Sequence, residues 1–287
     1  MLSRILLTVV LLLSSIMAQA VTFRAGIEAA RWDLESSKFG CRLSQTIPAF
    51  GVAAFEHPAG ESVSFMLQPI DQSHFSKGAE LVAEAAEWQP GTAPRFLGKV
   101  KPDVNGWLRT SNTQAEQMLA ALYNGMSPTF NTDSWYQSGE TLRVGVSATN
   151  FQTTYADYMN CVAGLLPVNY NQVARTAILF PSAQWRLSDA SKDRLDKIIL
   201  YVKNDDSVHS IYVDGHSDNL GRRLLNRDLS KKRAEAVSEY LKLHGIDEAM
   251  IITRFHGERY PVVKNNNKKN RARNRRVTIR LDKVEKE

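Results

Sequence analysis

Cysteine is nearly absent: Cys41 and Cys161 are the whole complement of a 287-residue chain. Neither a C-x-x-C nor an H-E-x-x-H spacing occurs, so a zinc centre has little support. No G-x-S-x-G is present either, which removes the nucleophile elbow of the α/β-hydrolases. Beyond the first twenty residues no apolar run is long enough to predict a membrane span. No repeat of solenoid type is visible. Acids are missing from one stretch: Lys264 to Arg280, KNNNKKNRARNRRVTIR, holds eight basic residues and no carboxylate, in a chain of formal charge +6. In a cytosolic protein such a run would point to nucleic acid.

The N-terminus argues against that compartment. MLSRILLTVVLLLSSIMAQA carries a basic Arg4, an apolar run from Ile5 to Leu13, and small Ala18 and Ala20 at the A-x-A positions. This is the three-part build of a secretory signal peptide, residues 1–20. An uncleaved anchor is the weaker reading, because the apolar core falls short of the ~20 residues a bilayer needs. No Cys follows the run, so no lipid attachment is expected. Cleavage after Ala20 leaves 287 − 20 = 267 residues, enough for two domains with their own cores. In an oxidising compartment a lone pair of cysteines predicts a Cys41–Cys161 disulfide. The alternative is two buried thiols. Closing a loop of about 120 residues is worth ~4–5 kcal/mol at most. For an exported chain, the basic run is either a cationic face toward an anionic periplasmic partner or a solvated loop with a few structural arginines.

Two halves differ in texture. From Val21 to about Leu166 short apolar runs are punctuated by Pro and Gly, and SVSFMLQPI, TLRVGVSAT and GVAAFEH read as strands. QAEQMLAALYNG reads as a short helix with Met118, Leu119 and Leu122 on one face and Gly125 as its stop. YADYMNCVAGLL is a second helical candidate, carrying Cys161. PVNYNQ, residues 167–172, lacks periodicity and is read as a linker. Beyond it strand and helix alternate. ARTAILF is a strand, and SDASKDRLDKIILYVKN a helix capped by Ser188 with Leu195, Ile198, Ile199 and Val202 at helical spacing. SVHSIYVDG is a strand, and LSKKRAEAVSEYLKLHG a helix ending at Gly245. MIITRFHG and RRVTIRLD are strands. The expected fold class is therefore α+β: a β-rich N-terminal domain with a few helices over 21–166, then a β-α-β-α-β-β two-layer domain over 173–287.

The chemistry sits where strand gives way to helix, in GHSDNLGRRLLNRDLSKKRA, residues 215–234. Asp218 falls at the strand end and Arg233 on the first full turn of the following helix, a common place for a pocket. A carboxylate accepts hydrogen bonds from an ammonium, and a guanidinium grips a carboxylate with two. A ligand bearing both groups, an amino-acid end, would satisfy the two at once, with the Asn226 amide orienting it. A structural Asp–Arg ion pair explains the same residues. His216, Ser217 and Asp218 are adjacent, so on an extended chain they cannot form a nucleophile relay, and no enzyme is expected. Asp214, His216 and Asp218 share a face by period two, a weak hint of a metal site. His216 reads better as a packing residue.

The pattern GHSD…N..LS..RA..V..YL…G…NRRV resembles the peptidoglycan-binding domain shared by OmpA, the peptidoglycan-associated lipoprotein and flagellar stator B subunits, over roughly residues 173–284. That resemblance implies that Asp218 holds the ammonium and Arg233 the carboxylate of diaminopimelate in the wall's stem peptide, with Asn226 assisting. It also implies that Ser217 keeps the hydroxyl of a usual Thr, and that Arg275 or Arg276 of NRRV lines the site or serves the sheet. In the first half, WDLESSKFGCRLSQTIPAFGVAAF, EWQPG, YNGMSPTFNTDSW and the Cys161 segment are similar to the MotY family of periplasmic flagellar motor proteins. That likeness implies a first domain docked on the basal body in the T ring, beside MotX, where the stator complex is recruited. No cofactor and no metal are implied. Trp32, Trp88, Trp107 and Trp135 could serve an interface, but core packing explains them more simply. A general wall-anchored envelope protein unrelated to flagella is the competing reading.

Overall fold

In this computed structural model the structure describes residues 20–85, 91–133 and 141–284. The signal-peptide stretch before Ala20, together with Trp88 and Trp135, lies outside them. The described chain forms two compact units. The first takes in the stretches up to Glu35, Arg42–Glu56 and Val63–Met159; the second takes in Ser36–Cys41, His57–Ser62 and the chain from Asn160 onward.

The first unit is built from β1 (Ala20–Arg24), β2 (Asp33–Ser37), β3 (Gly40–Ile47), β4 (Gly51–Pro58), β5 (Ser64–Pro69), β6 (Ala79–Glu84), β7 (Arg95–Val100), β8 (Leu108–Arg109), α1 (Asn112–Tyr123), β9 (Ser127–Asp133), β10 (Thr141–Gly145) and α2 (Phe151–Ala163), of which the end residues 36–37 of β2, 40–41 of β3, 57–58 of β4 and 160–163 of α2 count with the second unit. The strands make two five-stranded sheets, ordered β1-β10-β9-β6-β7 and β2-β3-β4-β5-β8. Aromatic side chains fill the space they share. Phe65 of β5 stacks on Phe130 of β9 at 5.7 Å and meets Phe55 of β4 edge-on at 4.8 Å, and all three are fully buried. Trp32 belongs to this core: it is buried, and its Nε1 donates to the Ser147 carbonyl at 3.2 Å. Trp107 is half-buried, with the Arg109 guanidinium 5.7 Å from its ring. Helix α1 starts as its sequence dictates, on a Ser111/Gln114 capping box, and buries Met118, Leu119 and Leu122.

The second unit runs α3 (Tyr170–Val173), β11 (Arg175–Leu179), α4 (Asp189–Val202), β12 (Val208–Gly215), α5 (Arg223–Leu243), β13 (Ile251–Phe255), α6 (Lys268–Asn274) and β14 (Arg276–Lys283). Its sheet is ordered β11-β14-β12-β13, with β12 and β13 parallel and the other pairs antiparallel. Ser188 caps α4 as its position requires, accepting from the Ser191 amide. Leu195, Ile198, Ile199 and Val202 of α4 pack with Val237 and Leu241 of α5 over Ile211, Val213, Val277 and Ile279 of the sheet. Each such burial is worth about 1.5–3 kcal/mol against an exposed side chain. Cys41 and Cys161 are disulfide-bonded with Cα atoms 6.1 Å apart, and both fall in this unit.

Three local expectations are corrected. Residues 167–172 are no free connector: Leu166 and Val168 join the core, Asn169 caps α3 through a capping box with Gln172, and the Tyr170 hydroxyl donates to the Leu281 carbonyl at 3.0 Å. A single capped turn needs no apolar period, so its order left no periodic trace. Helix α5 begins at Arg223, well before Leu229, so Arg233 lies near its third turn and not its first. Part of the basic run is the helix α6, started by Asn267, whose side chain accepts from the Asn270 amide.

Candidate functional site

The site begins with an approach that only glycine permits. At the end of β12, a Cβ on Gly215 would sit 2.1 Å from the Ser230 carbonyl oxygen of α5. Bare backbone there lets the helix press against the strand end, which brings Arg233 up to the loop that follows. Backbone bonds fix that loop on both sides. The His216 amide donates to the Arg276 carbonyl at 2.8 Å, and the Ser217 amide to the Gly257 carbonyl at 2.8 Å. Asp218 closes a local turn by accepting from the Leu220 amide at 3.2 Å.

The two arginines divide the work differently from the simplest expectation. Arg275, directly after α6, donates from Nη1 to Asp218 Oδ2 at 2.9 Å and from Nε to the Phe180 carbonyl at 3.1 Å. Arg233 makes no ion pair among the described residues. Its Nε donates to the Gln184 carbonyl at 2.8 Å, Nη1 to the His216 carbonyl at 3.2 Å and Nη2 to the Pro181 carbonyl at 3.1 Å. The guanidinium lies 5.3 Å from the Phe180 ring and is fully buried, at 0% exposure. Burial first, then repulsion from Arg275, pushes its pKa down to about 10, against the pull of Asp218. It stays charged at neutral pH. Three of its five N–H groups are engaged on carbonyls, which leaves two.

The remaining expected residues are close by. Asn226 is buried and donates to Glu258 Oε2 at 2.8 Å. Ser217 is buried, and its hydroxyl has no hydrogen-bond partner among the described residues; the same holds for Nδ1 of His216. The His216 ring packs 5.1 Å from that of His256. Burial chiefly, with Arg276 and His256 adding repulsion, pushes its pKa down to about 4. Arg276 serves the sheet: it is buried, with Nε donating to Thr278 Oγ1 at 3.2 Å and Nη2 to the Tyr260 carbonyl at 3.2 Å. Asp214 is gripped by Arg254 at 2.7 and 2.8 Å and by His256 at 2.8 Å, so it has partners unlike those of His216 and Asp218. Among the described residues no group of His, Cys, Asp and Glu could hold a metal ion, and no helix is long and apolar enough to cross a membrane.

Sequence reasoning missed Phe180, Glu258 and Asn274. Asn274 is fully buried; its Oδ1 accepts from the amides of Val262 and Val263, and its Nδ2 donates to the Val263 carbonyl and to Asn265. It fixes the β13–α6 connection beside the Arg275–Asp218 pair. The Asn of NRRV was the available signal, but only the fold reveals which backbone it holds.

Comparison with known proteins follows the division into two halves. Residues 179–275 match the OmpA family, and residues 23–167 match the MotY N-terminal domain. The sodium-type flagellar protein MotY of Vibrio parahaemolyticus is 25% identical over 266 residues, which span 90% of this chain and 89% of that protein. The outer-membrane lipoprotein YfiB of Pseudomonas aeruginosa is 34% identical over 102 residues, 36% of this chain and 60% of its own length. The peptidoglycan-associated lipoprotein from Burkholderia pseudomallei, a crystal structure, is 27% identical over 37% of this chain and 89% of its own, with a TM-score of 0.35. Because the MotY N-terminal domain accounts for just over half of its residues, the chain belongs to the MotY family, with an OmpA-family domain in its second half.

Proposed function

We propose that this chain is a non-enzymatic component of the flagellar motor in the periplasm, held to the cell wall by its second half. On this reading its first half docks on the basal body, beside MotX in the T ring, and supports stator recruitment. The likeness to a flagellar MotY over 90% of the chain supports the motor assignment. A motor's stationary parts must resist torque, and the wall is a fixed frame.

The observation that carries the wall-binding reading is the meeting of Asp218, Arg275, Arg233 and Asn226 at one strand end. An amino-acid end of a stem peptide, diaminopimelate by the resemblance, would bring its ammonium to Asp218. The carboxylate oxygens of Asp218 hold one bond each, so further lone pairs remain for it. The ligand carboxylate would take the two remaining N–H groups of Arg233. Since Arg233 is fully covered, the segment carrying the Pro181 and Gln184 carbonyls gives way as the ligand enters. The Ser217 hydroxyl, buried without a partner among the described residues, is satisfied at the same moment. Arg275 holds Asp218 in place, and Arg276 stays in its sheet role.

The test is co-sedimentation of the full chain with purified diaminopimelate-type peptidoglycan, paired with swimming of a deletion strain. Asp218→Asn should lower wall binding at least tenfold, since one ligand charge is left unpaired. The deletion strain should keep its flagella but not swim. Binding unchanged in Asp218→Asn would make the pair merely structural. A strain that swims normally but sheds vesicles or becomes detergent-sensitive would instead support a general envelope brace.

A further inference from the structure

The basic run from Lys264 to Arg280 is only partly absorbed by the site. Of its eight cations, Arg275 pairs with Asp218, Arg276 is buried in the sheet, and Arg280 lies 3.5 Å from Asp282. The other five, Lys264, Lys268, Lys269, Arg271 and Arg273, have no ion-pair partner among the described residues, and all but the half-buried Arg271 are exposed. They do not stand alone. The first turn of α5 is flanked by exposed Arg222, Arg223 and Arg227, and Arg259 lies exposed on the β13–α6 connection, again with no ion pair among the described residues.

Direct contacts make these three segments one surface. Gly257 abuts Arg227, Asn226 holds Glu258, and Asn274 ties residues 262–265 to α6. The next residue, Arg275, reaches Asp218. The acids within this surface are already engaged: Asp218 by Arg275, Glu258 by Asn226, and Asp228 by Lys232. The arrangement also works against local stability. Helix α5 has Arg222 at its N-cap, with no side-chain cap bond and no acid in its first turn, although the positive end of a helix favours acids and disfavours arginines. A purely structural helix start has no use for that choice.

We propose that these nine cations form an electrostatic collar that captures a polyanion, the cell-wall polymer with the free carboxylates of its stem peptides, before one amino-acid end is seated on Asp218. The proposal rests on the wall-binding reading and adds the chemical state of the wall it needs. Charges spread along a polymer are met by charges spread along the collar, at a range set by the Debye length, ~10 Å at 0.1 M salt. Individual exposed contacts are weak, so the collar acts by number.

The experiment is co-sedimentation of the full-length protein with isolated sacculi from about 20 to about 500 mM salt, a range over which the Debye length falls severalfold. The variant carries Lys264→Gln, Lys268→Gln, Lys269→Gln and Arg273→Gln, all exposed and without an ion pair among the described residues. Four lost contacts of surface strength should weaken binding about tenfold at low salt, with variant and wild type converging at high salt. Asp218→Asn should lower binding at every salt concentration and keep the wild-type slope. Sacculi whose carboxylates are amidated should bind wild type as weakly as the variant binds untreated sacculi. If wild type binds and the variant follows the same salt curve, the collar is refuted while the wall reading stands. If wild type does not sediment at all, both fall. Collar-dependent binding to vesicles containing phosphatidylglycerol, without collar-dependent binding to sacculi, would also overturn the proposal by making the partner a membrane.

Discussion

Removing Arg233 separates a ligand-gripping role from a scaffold role, because its three bonds go to backbone carbonyls on two different segments. In Arg233→Ala the carbonyls of Pro181, Gln184 and His216 all lose a charged donor. A hydrogen bond to a charged group is worth about 1.5–3 kcal/mol net. Three would total roughly 4.5–9 kcal/mol. Two corrections reduce that sum. Pro181 and Gln184 are exposed, so water can replace the lost donor there, and the variant no longer hides a guanidinium from solvent, a penalty of several kcal/mol. The expected net loss is about 2–4 kcal/mol, enough to be a large part of a domain's stability. Amide hydrogen exchange on the full chain localises it: protection should fall in residues 182–188 and at 216–218, while the sheets of the first unit stay unchanged. Arg233→Lys should fall between, since an ammonium keeps the charge but lacks the planar fork. Exchange and urea midpoint unaltered within about 0.5 kcal/mol would refute the reasoning and return Arg233 to a ligand residue alone.

Two further outcomes follow from the same geometry. His216 has a folded pKa pushed down to about 4 from 6.5 by burial, so on acidification the unfolded chain takes up the proton first. Its stabilising contribution is complete above pH 6.5 and is lost as pH falls toward 4, about 3 kcal/mol in all. Urea midpoints measured across that window should fall in wild type and much less in His216→Gln; equal slopes would reject the assignment. Asp214, whose pKa is lowered by Arg254 and His256 against its burial, adds a loss only below its ordinary value of 3.8. The second outcome concerns the disulfide, which joins two stretches of the second unit across 120 residues of sequence. Cys161→Ser should cost up to about 4–5 kcal/mol, with exchange rising at 36–41 and 160–173. A variant as protected as wild type there would show that packing alone holds those segments.

The sequence was sufficient wherever a local rule carries the information. Ser188 precedes a helix because a hydroxyl satisfies an orphan amide, and it caps as expected; Ser111 does the same for α1. The strands GVAAFEH and SVSFMLQPI were legible from their apolar and aromatic residues, and they became paired neighbours, each burying three consecutive residues, Ala53–Phe55 and Phe65–Leu67. The cysteine pairing followed from compartment and number. What needed the tertiary structure was the choice of partner. From sequence, Asp218 had an arginine fifteen residues on to face; in the fold, Arg275 takes that place, 57 residues away along the chain. Arg233 is turned to three carbonyls. Both arginines are chemically able to do either job, and no spacing rule distinguishes them. Gly215 decides it, by letting α5 come close enough to bury one guanidinium under residues 181–184, while Asn274 sets the turn that delivers the other.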